Sequence, residues 1–509
     1  MNDAKDLGLI LTPKPRTGTT KAYSAVKDDI VYEYEDVTAK VEAITKTAPV
    51  ASEVEVINKL NEDQIAAESK ETYISNKYIR VDLDKDKKIT KITLSNGVTT
   101  PLDIQYFYYA SDQPLEMGRS DKKRPGAYIF RPMDPKPEPI LDFLDTKVYK
   151  TAVVEEIHSR YSNYASFAVK LYTGMPYLVV DWLVGPIPKD DDIGKDVFIR
   201  YTTNLENEGV FYTDANGRQT MKRIRNTRGT YEPVNLDGIP GNFYPVTSKI
   251  YIEDVKKNIR FSILNDRAQG GTSLQDGEID LMIHRRILTD DTGAQTYLNE
   301  TEFGQGIIVR GQHVLYLSKA DYKQNRIYEK ILAKELAYKP YVFVSRDSPY
   351  GYYSKTKWFR QINNFTAIKS KLPLGVHLLT VEEWNEGTIL LRLENYLEKT
   401  DTVKSGIKTV FIKDLFVNLK INSVKEMTLS AHMWLKDWSP LVWNKRNKFL
   451  KSFNKFYGNS NDTAEYCENE ELKEFEEVNI DKGIVLSPQQ IRTFVVWFDY
   501  VNIKIGNTL

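Results

Sequence analysis

Residues 167–184, with the sequence FAVKLYTGMPYLVVDWLV, decide the fold class. Two runs rich in valine, leucine and aromatic residues, 167–172 and 177–184, flank the four residues Thr-Gly-Met-Pro at 173–176. Glycine and proline are typical of tight turns, whereas β-branched and aromatic residues favour extended backbone. The stretch therefore predicts a strand, a turn and a second, antiparallel strand.

The same pattern recurs along the chain. Apolar and polar side chains alternate at 79–83, 249–253 and 259–263, each next to a charged turn. Residues 491–498 (IRTFVVWF) follow a Ser-Pro break and predict a last, buried strand. Residues 320–336 place apolar side chains near helical spacing and predict one amphipathic helix. Short strands joined by turns favour stacked antiparallel sheets, so we expect a mainly-β fold with few helices.

The charge balance argues against several classes of partner. The 509 residues include 70 Lys and Arg and 70 Asp and Glu, so the net charge is zero. A neutral chain lacks the positive excess with which proteins bind nucleic acids or anionic membranes. No apolar run reaches the roughly 18 residues of a membrane span, and residues 1–40 lack the apolar core of a signal peptide. We therefore expect no nucleic-acid partner, no membrane partner and no signal peptide.

The sequence lacks the common motifs of catalytic and metal sites. None of its five histidines has the spacing of a zinc motif, and its single cysteine, Cys467, lies in an acidic stretch that disfavours a reactive thiolate. Neither a phosphate-binding loop nor a Gly-x-Ser-x-Gly elbow occurs. Two histidines, His377 and His432, lie in apolar sequence and are expected to be hydrogen-bonded core residues. Carboxylate pairs for glycoside hydrolysis stay open, because 70 acidic residues offer many.

The basic segment 218–228 (RQTMKRIRNTR) has two interpretations. A dense set of cations is compatible with binding an anion or a nucleic acid. At zero net charge, a solvated or ion-paired loop is the better prediction.

A set of unusual strings follows one another in a fixed order. They are GAYIFRP (126–132), VGPIP (184–188), FYTDANGR (211–218), GNFYPV (241–246), DRAQGGTSL (266–274), LMIHRRILTDD (281–291), HLLT (377–380), ILLRLEN (389–395), KDLF (413–416) and IRTF (491–494). In this order the strings resemble the C-terminal half of glycoside hydrolase family 38, the lysosomal-type α-mannosidases. The resemblance covers about residues 71–500, and residues 1–70 show none.

The resemblance implies an architecture and an activity. It implies a large mutarotase-like antiparallel β-sandwich over residues 71–372 and a smaller β domain over 373–509, preceded by a polar, unassigned arm at 1–70. The family hydrolyses terminal α-mannose with retention, and its zinc site, nucleophile and acid/base lie in an N-terminal catalytic domain. Those motifs are not in this sequence. We therefore expect no catalytic residue, no metal ligand and no cofactor in this chain.

Two site residues follow from the resemblance. Tyr244, in the string NFYP, corresponds to a tyrosine of the family's sugar pocket, and its ring and hydroxyl suit a sugar. Arg392, in LLRLEN, corresponds to an arginine able to donate several hydrogen bonds to sugar oxygens. Each residue also has a structural interpretation: core packing beside a turn proline for Tyr244, and an ion pair on a strand face for Arg392.

Two functions stay open at this point. The first is a non-catalytic C-terminal part of an α-mannosidase, with mannose-containing glycans and the N-terminal catalytic domain as partners. The alternative is a stand-alone carbohydrate-binding or scaffold protein without hydrolase activity. A homo-oligomer is possible in either case, and the resemblance implies a lysosomal or extracellular location.

Overall fold

The computed structural model describes ten segments of the chain. They are residues 68–111, 125–228, 238–289, 297–321, 323–343, 366–369, 371–401, 406–417, 419–439 and 478–501. Apart from Lys150–Ala152, these residues belong to one compact unit.

Strands dominate the described residues. In chain order they are β1 (Glu68–Ser69), β2 (Tyr73–Ser75), β3 (Ile79–Leu83), β4 (Ile89–Leu94), β5 (Thr99–Pro101), β6 (Asp103–Ala110), β7 (Glu138–Pro139), β8 (Asp145–Lys150), β9 (Val154–Arg160), β10 (Ala165–Tyr172), β11 (Leu178–Val184), β12 (Lys195–Thr202), β13 (Val210–Ala215), β14 (Gln219–Ile224), β15 (Tyr244–Val246), β16 (Lys249–Asp254), β17 (Ile259–Asn265), β18 (Gln269–Thr272), β19 (Glu278–Arg286), β20 (Thr301–Glu302), β21 (Gln305–Gly306), β22 (Val309–Lys319), β23 (Val376–Asn385), β24 (Thr388–Asn395), β25 (Lys408–Val410), β26 (Leu419–Met427), β27 (Ile484–Leu486) and β28 (Ile491–Tyr500). The mainly-β prediction is confirmed.

Two sheets form a sandwich. The larger has ten strands in the order β1-β8-β9-β10-β11-β22-β17-β16-β13-β14, and the smaller has six in the order β15-β18-β19-β12-β6-β7. The predicted hairpin around residue 174 is β10 and β11, in which Phe167 lies opposite Trp182. Along β10 every second side chain is buried, as expected for a strand with one face on the core. Tyr106 of β6 donates a hydrogen bond of 2.6 Å to the carbonyl of Ser166, which joins the two sheets.

A four-stranded sheet, ordered β2-β3-β4-β5, adds to the same core. Its central hairpin pairs Val81 with Ile92, and both side chains are fully buried. The alternating pattern at 79–83 therefore marks the buried face of β3, as predicted.

One α-helix, α1 (Lys323–Ala337), lies in the described residues, and it matches the segment predicted from apolar spacing. Its Leu332 and Leu336 pack on Val179, Leu264 and Val314, on the side of the ten-stranded sheet opposite the sandwich core. Residues 178–180 at the start of β11 are therefore buried on both faces, which explains why three apolar residues follow one another there. Among the described residues, no helix is long and apolar enough to cross a membrane.

The last part of the chain has its own sheet and core. Strands β23-β24-β28-β26 form a four-stranded sheet, and β25 pairs with β27. Leu391, Leu393, Phe494 and Val496 are buried in one cluster there. The predicted final strand is β28. The predicted domain limits at residues 71 and 373 stay predictions, although strand β1 begins before residue 71.

Candidate functional site

Tyr244 lies at the start of β15, one residue after a short 3-10 turn at Pro240–Asn242. β15 is at the edge of the six-stranded sheet, and Tyr244 pairs there with Gly271 of β18. A Cβ atom at position 271 would lie 2.6 Å from Cγ2 of Val246, so this close strand pairing requires glycine. The Tyr244 ring is partly buried and packs edge-on against Phe211, with centroids 5.8 Å apart. The sheet therefore holds the ring firmly while part of it stays accessible.

Two arginines contact Tyr244. The Arg228 guanidinium donates a hydrogen bond of 2.7 Å to the phenol oxygen, and Arg223 stacks over the ring at 4.2 Å from its centroid. Cation–π contacts of this kind hold a ring and a guanidinium in one orientation. Because the phenol oxygen accepts from Arg228, its own proton is left to donate to another group.

The electrostatics around Tyr244 are positive. Arg223 donates from Nε to Oγ1 of Thr213 at 3.0 Å. Burial lowers the pKa of Arg223, the neighbouring Arg228 lowers it further, and Tyr244 opposes that shift. Partly buried cations beside a phenol suit ligand groups that accept hydrogen bonds, such as sugar oxygens or carboxylates.

A pair of asparagines fixes the arginine segment to the tyrosine segment. Asn242 donates from Nδ2 to Oδ1 of Asn226 at 2.8 Å, and the backbone N–H of Asn226 donates to Oδ1 of Asn242 at 2.8 Å. Asn226 adopts φ of 54°, a conformation that asparagine tolerates better than most residues. Asn226 and Asn242 lie two positions before Arg228 and Tyr244, so their two hydrogen bonds hold the segments of Arg228 and Tyr244 side by side.

The basic segment 218–228 is therefore only partly as predicted. It is not simply a loop, because residues Gln219–Ile224 form strand β14. Ion pairs do occur: Arg218 pairs with Glu394, and Arg225 pairs with Asp276. The two arginines at Tyr244 were not assigned a site role from the sequence, although the density of basic residues was the signal that marks them.

Arg392 lies elsewhere, on β24 of the last sheet. It donates from Nε to the carbonyl of Leu429 at 3.2 Å and from Nη1 to Oγ1 of Thr380 at 3.4 Å. Within the described segments it forms no ion pair, so the strand-face ion pair is not what holds it. Its contacts share no residue with those of Tyr244, and the structure does not bring the two predicted site residues into contact.

The histidines do not form a metal site in the described structure. His313 is buried between the Tyr201 hydroxyl, at 2.7 Å, and Gln269, at 3.0 Å, and burial lowers its pKa to about 3. His377 is partly buried against Glu394 at 3.3 Å, whereas His432 is exposed and contacts Ser430, because it lies in a turn after β26. The prediction of a core position is therefore wrong for His432.

Carboxylate side chains do not complete a metal site with the histidines in the described segments. Across the described ranges, no group of three His, Cys, Asp or Glu side chains could hold a metal ion. These residues do not fit a zinc site. Cys467 lies outside the described residues.

Comparison with known proteins identifies the family. The family model for the glycosyl hydrolases family 38 C-terminal domain matches residues 74–293, which include Tyr244, Arg223 and Arg228. The chain carries the family 38 C-terminal domain. Arg392 lies beyond the matched segment of this domain.

Relatives of this family 38 chain share its sequence over most of its length. It is 36% identical to lysosomal alpha-mannosidase of Mus musculus over 73% of this chain and 36% of that protein. It is 30% identical to alpha-mannosidase of Canavalia ensiformis over 79% of this chain and 39% of that protein. A solved family 38 protein of Enterococcus faecalis aligns with 84% of this chain and 44% of its own, at 11% identity and a TM-score of 0.48. The chain thus spans little more than a third of the curated relatives that it matches.

Proposed function

We propose that this chain is the non-catalytic C-terminal part of an α-mannosidase and that it contributes Tyr244 to the sugar pocket. The observation that carries the proposal is the anchored phenol: its oxygen accepts from Arg228, so its proton is free for a ligand. The similarity to alpha-mannosidases over about three quarters of the chain supports the choice of ligand.

In this proposal, Tyr244 positions the sugar and performs no bond-making step. The phenol O–H donates to a sugar hydroxyl, and Arg223 and Arg228 hold the ring in place. Arg392 stays a second candidate contact, since its guanidinium makes only two weak hydrogen bonds in the last sheet. Both residues would act by orienting substrate for groups on another domain.

The retaining hydrolysis itself, with its zinc ion, belongs in this proposal to an N-terminal catalytic domain of the whole protein. The described histidines each bind separate partners and do not fit zinc, so no step is assigned to metal on this chain. Mannose-containing glycans and the catalytic domain are the proposed partners. A lysosomal or extracellular location is proposed from the lysosomal alpha-mannosidases among the relatives.

The experiment has two parts. The first measures the intact mass of the native protein from its source: a mass well above 58.7 kDa supports the proposal, and a mass of 58.7 kDa, allowing for glycans, supports the stand-alone binding protein. The second measures release of mannose from an aryl α-mannoside by the intact protein and by its Tyr244→Phe variant. Loss of one neutral hydrogen bond of about 0.5–1.5 kcal/mol should lower kcat/KM about two- to tenfold.

Tyr172→Phe is the matched control, because Tyr172 is an exposed tyrosine at the end of β10 that shares no contact with Tyr244. Its kcat/KM should equal that of the unmodified protein. Equal rates for Tyr244→Phe would overturn the role of Tyr244. Zinc-dependent release of mannose by the 509-residue chain alone would overturn the non-catalytic assignment.

A further inference from the structure

A cavity of 630 Å³ lies on the ten-stranded sheet, over β8, β9, β10, β11 and β22. On β10, Phe167 and Val169 point to the sandwich core, so the alternating residues Ser166 and Ala168 point the other way, into the cavity. Five adjacent strands spaced about 4.8 Å apart make this surface roughly 19 Å across. The cavity is thus a trough on the face opposite the core.

Small side chains form the floor of this trough. Ser166 lies directly opposite Arg160 on β9 and Leu183 on β11, and Leu183 lies opposite Arg310 on β22. One step along, Ala168 lies opposite Asp181. Long side chains on the outer strands and small ones on β10 leave the space open, which explains why a cavity exists on an otherwise regular sheet.

Several cationic groups of the trough retain hydrogen-bonding capacity. Arg267 uses Nε and Nη2 for Asp266, at 3.1 and 3.0 Å, and Nη2 also for the carbonyl of Arg310 at 2.7 Å. Its guanidinium lies 5.4 Å from the centroid of the buried Trp182 ring, so it is held in place, and Nη1 has no partner in the described part of the chain. The side chain of Arg310 is exposed and likewise makes no hydrogen bond within the described segments.

Acceptors stand beside these donors. Asp181 accepts from Gln312 at 2.8 Å and pairs with Lys170 at 3.1 Å, which leaves lone pairs on both carboxylate oxygens. Tyr149 lines the rim, and its ring meets the His158 ring edge-on at 4.9 Å. Fixed donors, fixed acceptors and an aromatic ring together suit a ligand whose groups both donate and accept and whose body carries C–H surface.

We propose that this trough binds a neutral oligosaccharide segment, at a site separate from Tyr244. Each sugar hydroxyl donates and accepts one or more hydrogen bonds, which matches the mixture of guanidinium, amide and carboxylate groups on the walls. Cations and carboxylates both line the trough, so it lacks the single-sign field of a dedicated anion site. Its volume lies within the range of about 300–1,000 Å³ that is typical of ligand pockets.

The test is calorimetric titration of the 509-residue chain with methyl α-mannoside and with an α-linked mannotriose. We expect saturable binding of the trisaccharide at least about tenfold tighter than that of the monosaccharide, because the trough accommodates more than one ring. Arg310→Ala should weaken trisaccharide binding at least about threefold, and Ala168→Trp, which fills the floor, should abolish it. Lys319→Ala is the matched control for Arg310→Ala. It removes a cation from the other, exposed end of β22, which does not line the trough.

The outcomes separate this site from the proposed function. Binding that persists in Tyr244→Phe but is lost in Ala168→Trp supports the trough, whatever the enzyme assay shows for Tyr244. Thermal unfolding of Ala168→Trp checks that the sheet is intact, and Arg310→Ala, at an exposed position, tests the site without altering the floor. A sulfated mannotriose, titrated in the same way, serves as the anionic comparison. The proposal is overturned if the neutral trisaccharide does not bind, if both trough variants bind like the unmodified chain, or if only the sulfated trisaccharide binds.

Discussion

Glu394 on β24 accepts a hydrogen bond of 2.5 Å from Nη1 of Arg218, which lies at the turn between β13 and β14. The same arginine donates from Nη2 to the carbonyl of Gln489 at 2.7 Å. Lys334 of α1 and His377 of β23 also contact the Glu394 carboxylate, at 3.2 and 3.3 Å. One buried carboxylate thus links the edge of the large sandwich, the helix and the last sheet.

Acid should weaken this link. Burial raises the pKa of Glu394, but the hydrogen bond from His377 and the charges of Lys334 and Arg218 outweigh it and lower the pKa to about 2 from an ordinary 4.5. A carboxyl whose pKa is lower in the folded state stabilises the protein above pH 4.5 and loses that effect as the pH falls towards 2. We expect roughly 1–3 kcal/mol from this group at neutral pH.

The measurement is the thermal unfolding temperature of the unmodified chain and of Glu394→Gln from pH 7 to pH 2. The difference between the two proteins should be largest at neutral pH and should shrink between about pH 4.5 and 2. Glu382→Gln, at an exposed position of β23, is the control and should follow the unmodified chain. A constant difference across this range would show that the charge of Glu394 is not what stabilises the link.

The sequence predicts the local part of this architecture and not the link. Alternation is a local signal, so the hairpins β3–β4 and β10–β11 and the helix α1 could be recognised. Arg218 and Glu394 are 176 positions apart, and nothing in either string specifies the other. The strand order is equally non-local, because β22 enters the sheet between β11 and β17.

The candidate site likewise has one part that the sequence indicates and another that depends on contacts between distant residues. Tyr244 could be proposed because its string resembles a family motif, whereas the basic segment that holds Arg223 and Arg228 does not show that the fold places both guanidinium groups against the Tyr244 ring. The cavity over β10 is also invisible in the sequence. Its floor depends on which strands flank Ser166 and Ala168, and that is decided by sheet order.

Glu329 of α1 should contribute far more to the stability of the protein than the exposed positions of the same helix. It is fully buried, and its carboxylate accepts from Ser262 at 2.7 Å and pairs with Lys249 and Arg260, each at 3.2 Å. Glu329→Gln leaves the buried Lys249 without a carboxylate partner among the described residues, and it leaves the buried Arg260 with Glu253 alone. Breaking this buried pairing should cost about 3–5 kcal/mol. Urea unfolding measures the loss in the free energy of unfolding.

Glu335→Gln, on an exposed turn of the same helix, is the control and should change stability by less than about 0.5 kcal/mol. Equal losses for the two variants would contradict the buried pairing of Glu329.

Gly311 of β22 should tolerate no side chain. A Cβ there would lie 2.2 Å from Cζ2 of Trp182, whose side chain is buried in the sandwich core. Overpacking of this kind should destabilise Gly311→Ala by about 1–3 kcal/mol or more. Gly217→Ala is the comparison: position 217 has φ of 69° but nothing within 4 Å, so only backbone strain of about 1 kcal/mol applies. Thermal unfolding should therefore rank Gly311→Ala as the less stable variant, and the reverse ranking would place Trp182 differently.

The last strand offers a test of how the C-terminal sheet is packed. Phe494 and Trp497 both belong to β28, and the sequence alone predicts a large loss for alanine at either position. In the structure Phe494 is fully buried in the core of the last sheet, whereas Trp497 is partly buried and stacks on Trp434 at 6.2 Å. Phe494→Ala should therefore cost about 3–5 kcal/mol, the value for a large core residue, and Trp497→Ala clearly less.

Urea unfolding followed by far-UV circular dichroism separates these two losses without relying on tryptophan emission. Phe494→Leu is the matched control, because it keeps most of the buried volume and should recover more than half of the stability lost in Phe494→Ala. If Trp497→Ala proves as costly as Phe494→Ala, the stacking of Trp497 on Trp434 contributes more to stability than its partial burial indicates. If neither substitution lowers the free energy of unfolding, β28 does not lie in the sheet between β24 and β26.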